Sequence, residues 1–214
     1  MRVLAIDTAL QACSVALLDG ADVLVRAVER MDRGQAERLA PMVQSCLAQA
    51  KLRPNEIDCI AVTRGPGAFT GIRIGLALAR NFALALGKPC LGFSTLEALA
   101  MGTEQPRTIA AIEAAGSLYL AAYEGGTEIL APFRAEEVEA LGALGGEWTV
   151  TGPAAAQVLA HHPSFAHVPQ DVVDPVVLAR MAQTADVAAH PPAPMYLRGV
   201  HAKLAEAAFG QTPP

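Results

Sequence analysis

The sequence predicts an α/β fold laid out twice: two small lobes, each opening with three consecutive strands before helices and strands alternate. Three observations carry that expectation. Residues 2 to 7, 12 to 18 and 22 to 29 are β-branched or Leu-rich runs parted by short polar breaks, the last of them Asp19-Gly20. Residues 35 to 51 then change period, with apolar side chains three and four apart. After a polar break at Gly102 to Arg107, three strand-like runs begin again.

Element by element, Leu39, Met42, Val43, Cys46, Leu47 and Ala50 fall on one face of a helix. Pro41 lies inside that stretch, so the helix starts near it or kinks, because proline lacks a donor and crowds the preceding turn. Ile57 to Thr63 reads as a buried strand. It is followed by the loop Arg64-Gly65-Pro66-Gly67-Ala68-Phe69 and a helix opening near Thr70, which Gly87 and Pro89 stop. A strand at 89 to 93 leads into a helix announced by Ser94-Thr95-Leu96-Glu97, the spacing of a capping box. The first lobe therefore runs βββαβαβα.

In the second half, strands are expected at 108 to 113, 117 to 123 and 127 to 131, with a tight turn at Gly125-Gly126. A short helix around 134 to 141, a strand at 147 to 151, a helix from Pro153 to 160 and a helix at 175 to 188 complete it. The tail from 189 to 214 is Pro- and Ala-rich, and its far end is expected to be mobile. Duplication of a βββαβα unit is the ground plan of the actin/Hsp70/sugar-kinase (ASKHA) superfamily, here with the second copy truncated. The lobes are set at 1–103, holding the partner-binding helices, and 104–214, smaller and degenerate.

Composition narrows the function classes. The 214 residues are 52% hydrophobic and only 17% charged, which argues for a packed protein with apolar surface to spare for a partner. A net charge of −5, with no cluster of Lys and Arg, argues against independent nucleic-acid binding. Cys13, Cys46, Cys59 and Cys90 lie in apolar surroundings without metal-type spacing, as buried reduced thiols of a cytoplasmic protein do. Asp7, Thr8 and Gln11 interrupt the N-terminal apolar run, so no export signal is read there. The stretch 71 to 87 contains Arg73, Arg80 and Asn81 and is read as too short to span a membrane.

Three features bear on chemistry. Asp7-Thr8 ends the first strand, where folds of this plan set a carboxylate and a hydroxyl beside a phosphate and its metal. The same pair equally satisfies turn amides, and that reading carries more weight for catalysis. The run from Arg64 to Arg73, RGPGAFTGIR, lets the backbone turn tightly and offers free amides at a helix start. It suits a phosphate cradle or a rigid turn that aims the helix, and it is no Walker loop. The helix itself carries Gly71, Gly75, Ala79, Ala83 and Gly87 as a stripe of small residues, with Ile74, Leu78, Phe82 and Leu86 beside it. A helix apolar all round is buried on more than one side, either wholly within its domain or partly beneath a second polypeptide. The low charge favours the second polypeptide. His161 and His162 diverge by about 100° on a helix and do not chelate one ion together. No HExxH, GxSxG or Cys-His arrangement is present, so neither a catalytic residue nor a metal site is assigned.

The segments AIDTALQACSVALL, QAERLAPMV, RGPGAFTGIRIGLALARNFALALGKPCLGFSTLEALA and the late MYLR together resemble the TsaB (YeaZ) family. That resemblance implies a noncatalytic subunit of the machinery that forms N6-threonylcarbamoyladenosine in tRNAs reading ANN codons. It implies pairing with the paralogue TsaD and recruitment of the ATPase TsaE; that an isolated subunit can form a homodimer follows instead from the uncovered apolar patch, which can pair with its own copy. It further implies no membrane, tRNA reached only through the complex, no cofactor of its own, and ATP or ADP at the subunit joint. The implied partner surface comprises Leu39, Met42, Val43 and Cys46 of the first helix with Gly67, Phe69, Thr70, Gly71, Arg73, Gly75, Leu78, Ala79, Phe82 and Ala83. Asp7 and Thr8 stand as a vestigial phosphate contact. The chain departs from the family at Gly34-Gln35-Ala36-Glu37, where relatives carry Gly-His-Ser-Glu, and at Glu113-Ala114-Ala115, where they carry Asp-Ala-Arg. The rival from the enzyme class is a small ATP-dependent phosphotransferase, for which Thr149 to Ala154 is the nearest adenosine-loop candidate.

Overall fold

The computed structural model describes residues 1–136, 138–195 and 197; the far end of the tail, with Tyr196 and Arg198 of the MYLR segment, lies outside the described residues. The three leading runs form a meander, β1 (Arg2–Asp7), β2 (Ala12–Asp19) and β3 (Asp22–Arg30), paired antiparallel with Asp7 opposite Ser14. Val3, Leu4, Ala5 and Ile6 are all buried, so β1 is covered on both faces and reads as a continuous apolar run.

Helix α1 (Gln35–Gln49) passes through Pro41, which sits on its exposed side. Strand β4 (Cys59–Thr63), helix α2 (Phe69–Leu86), strand β5 (Cys90–Phe93) and helix α3 (Thr95–Met101) follow. Gly87 closes α2 with a left-handed φ of 63°, a conformation glycine adopts freely. At 18 residues α2 is long and apolar enough to cross a membrane by length and composition, contrary to the sequence reading; here it packs against β4 and α1. Ser94 occupies the position expected of a cap, but its hydroxyl makes no capping bond. The Glu97 carboxyl accepts the Ser94 amide, and the Thr95 amide donates to the Gly65 carbonyl at 2.9 Å, so the glycine loop satisfies one amide of the first turn of α3.

The second half repeats the plan with β6 (Arg107–Ala114), β7 (Ser117–Glu124), β8 (Thr127–Ala135), β9 (Thr149–Thr151), helix α4 (Ala155–His161), β10 (Ala166–His167) and helix α5 (Pro175–Thr184). Its sheet order, β8-β7-β6-β9-β10, reproduces β3-β2-β1-β4-β5 strand for strand. In both sheets the fourth and fifth strands run parallel to the first. The helix expected at 134 to 141 is replaced by the last residues of β8 and a 3-10 turn at Glu139–Leu144, where Gly142, Gly145 and Gly146 disfavour a longer helix. The two-residue β10 was not anticipated, being too short to show a period.

The lobes are joined through an exchange of helices. Helix α3 follows the first sheet but packs on β6 and β7, and α5 follows the second sheet but packs on β1, β2 and β4. One core therefore runs from Val3, Ala5, Leu91 and Phe93 through Leu96, Leu99, Leu178 and Ala179 to Ala110, Ile112 and Tyr123. Separate cores back each sheet on its outer face, one under α1 and α2, the other around Trp148 and Val158. Asp174 caps α5 by accepting the Val176 amide at 2.9 Å and also pairs with Arg26 of β3 at 3.1 Å.

Because Leu99 is fully buried in the layer shared by both sheets, Leu99→Ala should cost about 2–5 kcal/mol. Denaturant unfolding followed by Trp148 fluorescence and by far-UV circular dichroism should shift together in a single transition, with no separate loss of either lobe.

Candidate functional site

The segment singled out in the sequence forms one tight assembly around the turn between β1 and β2. The Thr8 hydroxyl donates to the Gly71 carbonyl at 2.7 Å, and the Ala68 amide donates to the Ala9 carbonyl at 2.7 Å. A Cβ on Gly67 or Gly71 would overlap the carbonyl oxygens of Ala9 and Thr8, and one on Gly75 would stand 2.6 Å from Thr8 Oγ1. The glycines spaced four apart are thus the groove in which this turn lies. They bring α2 closer to the sheet edge than any side chain would allow.

Asp7 lies beside them and is fully buried. Its Oδ1 accepts from the Thr63 hydroxyl at 2.7 Å and from the Ala9 amide at 3.1 Å, while Oδ2 has no partner among the described residues. Burial pushes this carboxyl up to about 6, against the opposing pull of the Thr63 and Ala9 hydrogen bonds. Asp7 and Thr8 are therefore occupied in holding the turn and α2. Gly152, in the segment weighed as an adenosine loop, presses on the Ala111 carbonyl, and the Ala154 amide donates to that same oxygen at 3.2 Å. Among the described residues no group of three or more His, Cys, Asp or Glu side chains could hold a metal ion.

The expected interface residues divide in two. Leu39, Met42, Val43 and Cys46 of α1 and Gly71, Gly75, Ala79 and Ala83 of α2 are buried in the chain's own core, beneath the first sheet, with Ala79 at 0% exposure. These eight are corrected from partner-facing to internal. The reason is steric: the small stripe is what lets α2 settle onto Thr8 and Val62. Phe69, Thr70 and Arg73 are exposed, whereas Gly67, Leu78 and Phe82 are half-buried. The outer side of α2 is made instead by Arg73, Ala77, Arg80 and Leu84, with Leu84 at 81% and Phe69 at 58% exposure. Ala77, Arg80 and Leu84 were missed, although their spacing from Arg73 by four, three and four residues was available to find them.

Two hollows flank this surface. A groove of about 470 Å³ lies between the starts of α1 and α2, lined by Gln35, Ala36, Glu37, Phe69, Thr70 and Ile74 among others. A cleft of about 440 Å³ lies between the glycine loop, the β6–β7 turn at Ala114 and Ala115, Tyr119, and the stretch around Pro194 and Met195. The Met195 amide donates to the Arg64 carbonyl at 2.8 Å and the Gly92 amide to the His190 carbonyl at 2.9 Å, so the stretch after α5 is laid along the edge of β5.

Comparison with known proteins gives concordant matches. A family model described as TsaD: tRNA N6-adenosine threonylcarbamoyltransferase matches residues 29–204. The chain is 39% identical over 165 residues to the tRNA threonylcarbamoyladenosine biosynthesis protein TsaB of Escherichia coli, covering 71% of each chain. YeaZ from Pseudomonas aeruginosa superposes with a TM-score of 0.74 at 29% identity, covering 91% of this chain and 100% of that one. Component A of (R)-2-hydroxyglutaryl-CoA dehydratase from Acidaminococcus fermentans, at 12% identity, TM-score 0.51 and coverage of 84% and 96%, shares the fold alone.

Two outcomes follow from the buried groups. Since Asp7 is harder to ionise in the fold than in the unfolded chain, its contribution is fully present below its unfolded value of 3.8 and is lost as pH rises to about 6. Asp7→Asn, which keeps the Oδ1 acceptor, should raise stability at pH 7 by about 1–3 kcal/mol and change it little at pH 3.5 to 4, as read by urea unfolding at both pH values. Ala79→Glu should cost on the order of 3–5 kcal/mol by burying an unpaired charge, and thermal melting should show the native transition lowered or absent.

Proposed function

The chain belongs to the TsaB (YeaZ) family, and on that footing we propose that it is the noncatalytic subunit of the complex that makes N6-threonylcarbamoyladenosine in tRNAs reading ANN codons. In this reading it pairs with the TsaD homologue, the pair recruits the ATPase TsaE, and any ATP or ADP binds where subunits meet. It works in the cytoplasm and reaches tRNA through the complex, in keeping with its net charge of −5.

The observation that carries the proposal is the division of α2 into two sides. The inner side is committed to the chain's own turn and sheet through Thr8, Gly71 and Gly75. The outer side leaves Leu84 and Phe69 largely in water next to half-buried Ile74 and Leu78. Single exposed apolar residues are ordinary, but Phe69 and Leu84 stand exposed at the two ends of one helix side beside a groove, an arrangement suited to a protein contact. The noncatalytic role is supported by what happens to the residues a phosphotransferase of this fold would use. Asp7 and Thr8 hold the first turn, and the segment at Gly152 is pressed on β6. A homodimer of the isolated chain would use the same outer side of α2, as a weaker pairing than that with the TsaD homologue.

The double variant Ala77→Glu/Leu84→Glu places charges on the outer side, where they remain solvated in the free protein. It should keep the melting temperature of the parent, lose co-purification with the TsaD homologue, and reduce threonylcarbamoyladenosine formation in a reconstituted assay by on the order of tenfold or more. Undiminished pairing and modification by this variant would remove the support for the proposed face.

A further inference from the structure

The outer side of α2 has a charge pattern as well as an apolar one. Arg73, Ala77, Arg80 and Leu84 follow one another at intervals of four, three and four residues, the repeat by which a helix presents a straight seam to another helix. All four are exposed. Among the described residues neither arginine lies within ion-pair distance of a carboxylate, while Arg2, Arg26, Arg30, Arg38, Arg53 and Arg107 each do. The Arg73 guanidinium stands 3.7 Å from the ring centroid of Phe69, which holds it over the start of the seam and limits the freedom it would lose on pairing. Ala77, between the two cations, permits a close approach of backbones at the middle of the contact.

Resting on the reading that this side of α2 faces the partner, we infer that the seam is built for an acidic amphipathic helix of a different polypeptide. Its carboxylates oppose Arg73 and Arg80, and its apolar residues meet Ala77 and Leu84. A second copy of this chain fits the seam less well. In an isologous pair centred on Ala77, Arg73 of one copy falls beside Arg80 of the other, and like charges face each other twice. The same two side chains thus favour the heterologous partner and disfavour self-pairing. The adjoining groove on the α1 side is lined by Asp32 and Glu37 against the one cation Arg33, so it adds no net attraction for further carboxylates.

The double variant Arg73→Glu/Arg80→Glu supplies a defined acidic probe on the same helix. Sedimentation equilibrium of the parent, the variant and their equal mixture should show the mixture associating at least about tenfold more tightly than either alone, with the difference shrinking as salt rises. Equal association in all three samples, or a difference insensitive to salt, overturns the inference. In a second arm the variant, with its fold checked by melting, should bind the TsaD homologue at least about tenfold more weakly than the parent. Equal binding by both forms sinks the charge assignment and leaves the partner reading standing. Failure of the parent to bind that homologue, with the mixed copies still pairing as expected, sinks the partner reading and leaves the seam's complementarity standing.

Discussion

The approach of α2 to the turn between β1 and β2 is the constraint on which the rest of this lobe depends. Two short hydrogen bonds, from Thr8 to Gly71 and from Ala68 to Ala9, join helix and turn at a separation that only glycine tolerates at 67 and 71. Once that contact is made, the rotation of α2 about its own axis is set. Ile72, Leu76, Ala79 and Ala83 go under the sheet, and Arg73, Ala77, Arg80 and Leu84 go outward. The side chains on the outer side of α2 are therefore determined by contacts made on its inner side.

The second organising feature is the exchange of α3 and α5 between sheets. The central strands β1, β4, β6 and β9 are covered on both faces and so have no side for polar residues, and with a helical layer shared between the sheets this contributes to a chain only 17% charged. The low charge was first counted in favour of a missing partner. Internal layering gives a second source for it, so the case for a partner rests on the specific exposed residues of α2 rather than on bulk composition.

Much of the fold was legible because period and punctuation agreed: the three-strand meanders, the glycine and proline after α2, and the restart after Arg107 all mark true elements. What periodicity cannot give is which side of a helix faces in. It grouped Gly71, Gly75, Ala79 and Ala83 correctly as one stripe, yet a close-packed small stripe serves equally against a neighbouring chain or against one's own turn. The decision lay with Thr8, more than sixty residues earlier, whose hydroxyl reaches Gly71 only in the folded chain. Leu39, Met42, Val43 and Cys46 were misplaced for a related reason, since the apolar face of an amphipathic helix beside a sheet belongs first to that sheet. At Ser94 half of the capping box forms, the Glu97 carboxyl accepting the Ser94 amide while the Ser94 hydroxyl makes no capping bond, and the Thr95 amide goes separately to the Gly65 carbonyl.

The position of Asp7 connects these points. At the end of β1 its carboxylate is bonded to Thr63 and Ala9 through Oδ1, with Oδ2 unpartnered among the described residues. Keeping a carboxylate there is unfavourable at neutral pH, because burial opposes its charge. The offsetting gain is the turn itself. The Asp7 bond to the Ala9 amide braces the turn whose Ala9 carbonyl takes the Ala68 amide and whose Thr8 hydroxyl reaches Gly71. A buried carboxylate at the end of β1 thus helps set which surface a helix more than sixty residues later turns outward.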